Sequence, residues 1–282
     1  MFVSKEEFKD KIFGALYGFA IGDAMGATTE FMSEQEIRSK YGRVTDIVGG
    51  GWLNLESGQV TDDTQMSMCV AEAIMESATD FGFESSVRDK FIRWYKSNPP
   101  DVGNQCAKGI QMLMAGKHVP YTDNDTAMSQ RGLGNGGLMR AMPCALMHKK
   151  DWNLIQNNMT HPDWLCVTCL EMYHKCMVNL LTFSDGNLIF KPVNELLTPT
   201  GHVFHTLSNA SYWAGRSNFE LCMLGAVNHG GDADTISAIA GSLAGAKFGF
   251  EAIPKRWIEQ LDNQVKEQLN KFANFIFSVD FC

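Results

Sequence analysis

The sequence has no apolar run long enough to cross a membrane. Its longest stretches of low polarity, residues 12–22 and 236–246, fall well short of the roughly 18 residues that a membrane-spanning helix needs. The first residues, MFVSKEEFKDK, are charged and contain no apolar core of the signal-peptide kind. In the absence of an export signal, the eight cysteines predict reduced thiols and a cytoplasmic protein.

An excess of basic residues is also missing. Lys and Arg total 24 against 32 Asp and Glu, a net charge of −8, which argues against a nucleic-acid-binding protein with a basic face. Hydrophobic residues make up 45% and charged residues 20% of the chain, so a disordered chain is excluded. No stretch of the 282 residues looks like an interdomain linker, and we expect a single domain spanning 1–282.

Alternating strand patterns are scarce, and apolar residues recur instead every three to four positions. This spacing is typical of amphipathic helices. It predicts a mostly helical protein with helices over 8–19, 66–74, 91–95, 164–180 and 257–276, and with loops over 45–59, 99–104, 119–137 and 185–200.

Two helices carry glycines four residues apart. They are Gly14, Gly18, Gly22 and Gly26 in the first helix, and Gly241, Gly245 and Gly249 in 235–249. Since glycine costs a helix about 1 kcal/mol relative to alanine, a repeated glycine face predicts the close approach of another backbone. The short runs and the charge of Asp23 exclude a membrane dimer, so we expect tight packing inside a bundle.

Paired aspartates mark two helix starts. In 61–64, Asp62 can be an N-cap, with Gln65 completing a variant capping box. Capping needs only one carboxylate, however, and the adjacent Asp63 would repel it. In 230–235, two aspartates and a threonine on a glycine turn offer oxygen ligands, which suit Mg²⁺, Mn²⁺ or Ca²⁺ rather than Zn²⁺.

Together the two helix starts make a stronger case than either alone. If they face each other, four carboxylates gather in one place, and only cations make such a group stable. We therefore predict two metal ions about 4 Å apart, which would polarise a water or orient hydroxyl groups.

A glycine-rich segment, 132–137, satisfies the pattern G-x-G-x-x-G. No strand precedes it and no βαβ unit surrounds it, so a dinucleotide-binding fold is rejected. It also lacks the Lys-Ser/Thr of a P-loop. Its backbone N–H groups could still bind a phosphate, with Arg140 nearby, although a simple turn fits the segment equally well.

Cysteine and histidine positions suggest little metal chemistry. Cys166, Cys169, His174 and Cys176 fall within one predicted helix, which cannot easily surround a tetrahedral zinc ion with all four side chains. His161 precedes a proline at an apparent helix start, where a histidine is more often a cap or a surface residue.

These blocks together resemble the ADP-ribosylglycohydrolase family. They occur in the order found in the family and span 14–249, as 14–26 running into Glu30-Phe31, 58–66, 134–143 and 227–236. The resemblance implies an all-α, compact orthogonal helical bundle with a cleft that holds two divalent cations, Mg²⁺ or Mn²⁺. The implied metal ligands are Thr61, Asp62, Asp63, Asp232, Asp234 and Thr235.

The resemblance also implies roles for residues around the metals. Glu30 would lie beside them and take part in catalysis or metal binding, and Asn135, Gly136 and Gly137 would hold the diphosphate of ADP-ribose. Gly137 replaces a serine that is common in relatives. Two further residues would contact the ends of the substrate, His161 near the nucleoside and Asp101 at the guanidinium that arginine-specific members recognise.

The implied activity is metal-dependent hydrolysis of the N-glycosidic bond between ADP-ribose and an arginine side chain of a protein. Glu30, Asp62 and Asp63 remain equal candidates for the general base. Two alternatives stay open. One is a hydrolase of serine-linked or O-acetyl-ADP-ribose. The other is an immunity-type protein whose partner is an ADP-ribosyltransferase that it blocks. No nucleic-acid or membrane partner is expected.

Overall fold

The computed structural model describes residues 1–77, 79–188 and 197–279. Within these ranges the chain forms helices joined by loops, with isolated β-bridges in place of extended strands. The all-α helical bundle predicted from the sequence is thereby confirmed. The thirteen α-helices of the described residues are α1 (Lys5–Gly26), α2 (Glu34–Tyr41), α3 (Asp62–Glu76), α4 (Asp80–Lys96), α5 (Asn104–Met114), α6 (Met142–Leu146), α7 (Lys150–Asn158), α8 (Trp164–Thr182), α9 (Val203–Ala214), α10 (Phe219–Val227), α11 (Ala233–Phe248), α12 (Lys255–Gln260) and α13 (Asn263–Ser278).

Helices α1 and α11 lie side by side in the centre of the molecule, with most of their residues buried. A Cβ added to Gly14 would overlap the carbonyl oxygen of Gly245, and one added to Gly22 would overlap that of Ser237. Close packing of the two glycine faces is therefore confirmed. The order of these contacts makes the helices antiparallel, so Gly26, where α1 ends, lies against Ala233, where α11 begins.

Most of the helices predicted from periodicity are confirmed, with longer bounds in α1, α3, α4 and α8. The stretch 257–276 is wrong as one helix, because the chain breaks between α12 and α13. Asp262 causes the break: its side chain caps α13 by accepting from the N–H of Gln264 (2.7 Å), while its own N–H donates to the Gly58 carbonyl (3.1 Å). Helices α2, α5, α6, α7, α9 and α10 lie outside the stretches predicted from periodicity.

The predicted loops are confirmed over 45–59 and 99–104, apart from Asn104, which begins α5. The loop 119–137 includes a 3₁₀ turn at Met128–Gln130. Of the predicted loop 185–200, residues 189–196 lie outside the described residues. A single domain spanning 1–282 stays a prediction. In the part of the chain that the structure describes, no helix is both long and apolar enough to span a bilayer.

The start of α3 differs from the capping box considered above. Thr61 is the N-cap, and its hydroxyl accepts from the N–H of Asp63 (3.3 Å). The side chain of Gln65 instead donates to the carbonyl of Val60 (3.2 Å). Because Thr61 caps the helix, the carboxylate of Asp62 is not needed for capping and is available to the pocket described next.

Candidate metal and substrate site

The first turns of α3, α5 and α11 meet at one pocket. Helix N-termini carry partial positive charge, which favours carboxylates and bound anions at this place. The sequence-predicted residues Thr61 and Gly137 do not line the pocket. The lining residues are Glu30, Phe31, Asp62, Asp63, Asp101, Gly103, Asn104, Gln105, Cys106, Gly134, Asn135, Gly136, Met139, His161, Asp232, Asp234 and Thr235.

Three carboxylates of the pocket form an acidic cluster. One oxygen from each of Glu30, Asp232 and Asp234 lies within 4.8 Å of the others. Glu30 is only 6% exposed and Asp234 only 2%. Buried carboxylates this close are stable only when protons or cations neutralise them. The cluster therefore has the character of a cation site, and it places Glu30 with the two aspartates of α11.

Asp63 connects this cluster to α3. The hydroxyl of Thr235 donates to Asp63 Oδ2 (3.3 Å), and that of Thr61 lies 3.4 Å from the same oxygen. The other oxygen, Oδ1, is buried and has no hydrogen-bond partner among the described residues. Buried polar atoms normally have a partner, so an orphaned carboxylate oxygen here is what a cation ligand would show. The two predicted helix starts do face each other.

Asp62 and Asp101 line the same pocket but are not part of this three-carboxylate cluster. Asp62 Oδ2 accepts from the N–H of Gly103 (3.4 Å), and the side chains of Asp62 and Asp101 share a hydrogen bond. Asp101 thus lies beside a predicted metal ligand, at the start of α5.

Burial dominates the protonation of these acids. It raises the pKa of Glu30 to about 8 and that of Asp232 to about 6. It also raises the pKa values of Asp62, Asp63 and Asp234 well above their usual range, and the negative charges of neighbouring carboxylates add to the effect. Without a cation, the site therefore holds protons at neutral pH.

Asp23 supports the site from the protein interior, a role that was not predicted from the sequence. Its fully buried carboxylate accepts from the N–H of Thr61 (3.1 Å), the N–H of Thr64 (3.0 Å) and the Thr64 hydroxyl (2.5 Å). These bonds attach the start of α3 to α1. The available signal was a single acid within the glycine face of α1, which would be costly to bury without such partners.

Asn135 supports the other helix start. Its Nδ2 donates to Asp232 Oδ2 (2.7 Å) and to the Thr206 hydroxyl (3.0 Å). The turn before Asp232 runs through Gly230 and Gly231, both with positive φ (75° and 66°). A glycine is needed at each position, since L side chains rarely adopt this conformation. The predicted substrate residue Asn135 therefore also holds a predicted metal ligand.

The glycine-rich segment is shaped by close contacts rather than by unusual backbone angles, because none of its glycines has a positive φ. Gly134 and Gly136 line the pocket, and a Cβ on Gly136 would come within 2.5 Å of Cys106 Sγ. The expectation for Gly137 needs correction: a Cβ there would overlap Asn157 Oδ1, so this position faces a neighbouring side chain and not the pocket.

Arg140 does not line the pocket, although the sequence suggested that it could lie near a phosphate bound at the glycine-rich segment. It is fully buried, and its guanidinium donates to Gln156 Oε1 (2.6 Å) and to the hydroxyl of Thr160 (2.5 Å). That hydroxyl lies 2.7 Å from Nδ1 of His161. Burial, and then the charge of Arg140, lower the pKa of His161 to about 3, so the histidine that lines the pocket is neutral.

Trp52, in the loop 45–59, was also missed. Its indole Nε1 donates to Glu30 Oε2 (2.5 Å), and its ring packs against Phe31 with centroids 5.4 Å apart. The signal available in the sequence was a tryptophan that directly follows three glycines, 49–51, in this loop. The contact joins a surface loop to the acidic cluster.

Comparisons with known proteins agree with this geometry. The model of the family described as ADP-ribosylglycohydrolase matches residues 4–197 and 181–280. The ADP-ribosyl-[dinitrogen reductase] glycohydrolase of Rhodospirillum rubrum is 35% identical, over 96% of each chain. The ADP-ribosylarginine hydrolase Tri1 of Serratia proteamaculans is 29% identical, over 98% of this chain and 81% of its own length.

A solved structure, that of an ADP-ribosylglycohydrolase-related protein complex, contains a chain with the same fold. It aligns with a TM-score of 0.76 and 26% identity, covering 97% of this chain and 99% of that chain. The chain therefore belongs to the ADP-ribosylglycohydrolase family.

Proposed function

We propose that this member of the ADP-ribosylglycohydrolase family removes ADP-ribose from an arginine side chain of a modified protein, with two divalent cations, Mg²⁺ or Mn²⁺, at its centre. The observation that carries the proposal is the buried group of carboxylates at the facing starts of α3 and α11, with one orphaned oxygen on Asp63. The relatives support the substrate class, because they are named as an ADP-ribosyl-[dinitrogen reductase] glycohydrolase and as ADP-ribosylarginine hydrolases.

The donor set fits hard cations. Every candidate ligand atom is oxygen, as Mg²⁺ and Mn²⁺ prefer. When bound, the cations would neutralise the carboxylates and polarise a water or the substrate hydroxyl groups. The proposed ligands are Asp62, Asp63, Asp232, Asp234 and Thr235, together with Thr61, which does not line the pocket but whose hydroxyl lies 3.4 Å from Asp63 Oδ2. Glu30 joins them because it shares the cluster of Asp232 and Asp234.

The neighbouring wall of the pocket suits a diphosphate. Within the described residues no side chain caps the start of α5, so the N–H groups at Asn104 to Cys106 are available to an anion. Asn135 and Gly136 line the same pocket, and Gly136 packs closely against Cys106. A second pocket shares Gln105 with the first and continues past Gly132 and Pro162, which gives the nucleoside end a place next to His161.

The chemistry follows from the charge that develops during cleavage. The bond from ribose C1″ to the guanidinium nitrogen breaks through an oxocarbenium-like state, and the carboxylates of Asp62, Asp63 and Glu30 stabilise its positive charge. The electron pair leaves with the guanidine. Water adds to C1″ and gives its proton to a carboxylate, which passes it to the neutral guanidine, so that the leaving group ends as guanidinium and the carboxylate is regenerated. Glu30, Asp62 and Asp63 all line the pocket and remain the candidates to receive that proton.

Asp101 would bind the leaving group. A carboxylate can accept two parallel hydrogen bonds from a planar guanidinium, and Asp101 lies in the pocket beside Asp62. An ester-linked or serine-linked ADP-ribose offers no such cation. This favours arginine over the alternative linkages.

The test uses chelator-treated protein and three substrates: an arginine-linked ADP-ribosyl protein, a serine-linked one and O-acetyl-ADP-ribose. We expect ADP-ribose to be released from the arginine-linked protein only after Mg²⁺ or Mn²⁺ is returned. Release from the serine-linked or acetylated substrate alone would overturn the arginine assignment. Equal release with and without metal would overturn the role of the cations.

A further inference from the structure

Two aromatic side chains at the mouth of the pocket are unusually exposed. Phe31 is 66% exposed and Trp52 is 47% exposed, and their rings are tilted by 49° with centroids 5.4 Å apart. Aromatic side chains normally stabilise a protein by burying their large apolar area. This pair buries little of it, although Phe31 lines the pocket.

The backbone at Phe31 is in a conformation that aromatic residues rarely adopt. Its φ is +61°, in the left-handed region that disfavours a bulky side chain. Two hydrogen bonds fix it: Phe31 N–H donates to the carbonyl of Gly231 (2.7 Å), and Gly231 N–H donates to that of Met32 (2.8 Å). The result is that Glu30 points inward while Phe31 remains at the surface. Burial does not compensate this strain, which suggests a functional reason for it.

The indole of Trp52 is held in one orientation. Its Nε1 donates to Glu30 Oε2 at 2.5 Å, so one edge of the ring faces the acidic cluster. Nearly half of the side chain is still accessible to solvent. The exposed part of the indole therefore lies next to Glu30 of the acidic cluster.

We propose that Phe31 and Trp52 form a binding subsite for the arginine side chain that carries the ADP-ribose, an inference that rests on the proposed function. The guanidinium would lie against the indole face in a cation–π contact, and the methylene groups of the arginine would pack on the ring of Phe31. The charges complement each other: the residues that line the pocket include five aspartates and one glutamate and, among the described residues, neither Lys nor Arg.

The subsite determines specificity for a cationic leaving group. Free ADP-ribose has no leaving group at this position, and serine-linked ADP-ribose has an uncharged seryl group there. Neither should depend on the aromatic rings, whereas the arginine-linked substrate should. This difference separates recognition of the leaving group from recognition of ADP-ribose.

The experiment compares Trp52→Phe with Trp52→Leu. Both variants lose the N–H that bonds Glu30, but only Trp52→Phe keeps an aromatic face. We expect kcat/KM for an arginine-linked ADP-ribosyl protein to be about 2- to 30-fold lower in Trp52→Leu than in Trp52→Phe, the range that a cation–π contact covers. The difference should appear mainly in KM. The Kd of free ADP-ribose, measured by calorimetry, should be the same in both.

Phe81→Leu is the matched control, because Phe81 is 83% exposed in the first turn of α4 and does not line the pocket. It should behave as wild type. Equal kcat/KM in the two Trp52 variants would overturn the subsite while leaving the proposed function intact. Wild-type protein that binds ADP-ribose but releases it only from serine would overturn both. An equal loss of ADP-ribose affinity in Trp52→Leu would show that the rings contact ADP-ribose instead, and would also overturn the inference.

Discussion

The starts of α3 and α11 present similar side chains to the same pocket, yet they are held in place differently. At α3, Thr61 caps the helix and the buried carboxylate of Asp23 binds its first turn to α1. Asp232 is the N-cap of α11, but its side chain makes no capping hydrogen bond among the described residues. It accepts instead from Asn135, a residue of the glycine-rich segment.

The two helix starts therefore differ in whether a ligand in the pocket can contact the residue that holds them: Asp23 is out of its reach, whereas Asn135 is not. Asp23 lies inside the protein and does not line the pocket. Asn135 lines the pocket and contacts Asp232 at the same time. A diphosphate bound at the glycine-rich segment should therefore affect the α11 side of the acidic cluster more than the α3 side.

The largest effect should come from removing one carboxylate at each start. We expect Asp62→Asn and Asp234→Asn each to lower kcat for the arginine-linked substrate by more than about 100-fold, beyond the 10- to 100-fold that loss of an outer-shell partner costs. Circular dichroism should show an unchanged fold. Asp262→Asn, at the start of α13 outside the pocket, makes the same exchange and should retain activity. Wild-type turnover in either pocket variant would remove the metal assignment.

The motifs of the site could be predicted from the sequence, but the role of Asp23 and Asn135 in holding them in place could not, for a physical reason. Helix starts, glycine spacing and oxygen-rich ligand sets are local patterns, so the carboxylates of Asp62 and Asp234 could be recognised directly. The contacts of Asp23 with Thr64 and of Asn135 with Asp232 span 41 and 97 residues. Periodicity does not report such distances. It also does not show which way Gly137 or Arg140 faces, and both were misplaced.

The second prediction concerns the close packing of α1 against α11, which positions the starts of α3 and α11 relative to each other. A Cβ on Gly22 would overlap the carbonyl of Ser237, so Gly22→Ala should force α1 away from α11. We expect the free energy of unfolding, from urea denaturation, to fall by about 3 kcal/mol, the upper range for overpacking.

Gly103→Ala is its control, because a Cβ there would meet none of the described atoms within 4 Å. Its free energy of unfolding should stay within about 0.5 kcal/mol of wild type. Alanine is the better helix former by about 1 kcal/mol. A gain in stability for Gly22→Ala would therefore contradict the close contact of the two helices.

The third prediction concerns the whole cluster without its cations. In the folded protein the pKa of Glu30 is raised to about 8 and that of Asp232 to about 6 by burial, above the values near 4 of an unfolded chain. The folded state then binds protons more tightly, so its stability is greatest below about pH 4 for these groups and falls as the pH rises to 8.

Thermal melts of chelator-treated protein should show this fall between pH 5 and 8. Mg²⁺ or Mn²⁺ should reverse it by about 2.7 kcal/mol at a hundredfold excess over Kd, with a larger gain at pH 8 than at pH 5 because the metal competes with protons. Asp234→Asn should respond weakly. A response to Zn²⁺ alone would point to the cysteines of α8, and a stability that rises with pH would contradict the burial of the acids.

The smallest effects should distinguish the two supports. Thr64→Val removes one of the bonds to Asp23 and should lower the free energy of unfolding by about 1 kcal/mol, without changing the Kd of ADP-ribose. Asn135→Ala removes the donor to Asp232 and a pocket side chain, and should raise that Kd by about 10-fold, as expected for a hydrogen bond to a charged group.

The two variants should also differ in how ADP-ribose and Mg²⁺ affect each other's binding. In wild type and Thr64→Val, ADP-ribose should tighten Mg²⁺ binding, and by reciprocity Mg²⁺ should tighten ADP-ribose binding by the same factor. In Asn135→Ala, calorimetry should show this factor close to one, because the link between the glycine-rich segment and Asp232 is gone. The same coupling in both variants would mean that the ligand reaches the cluster by another route, and that the two helix starts are equally fixed.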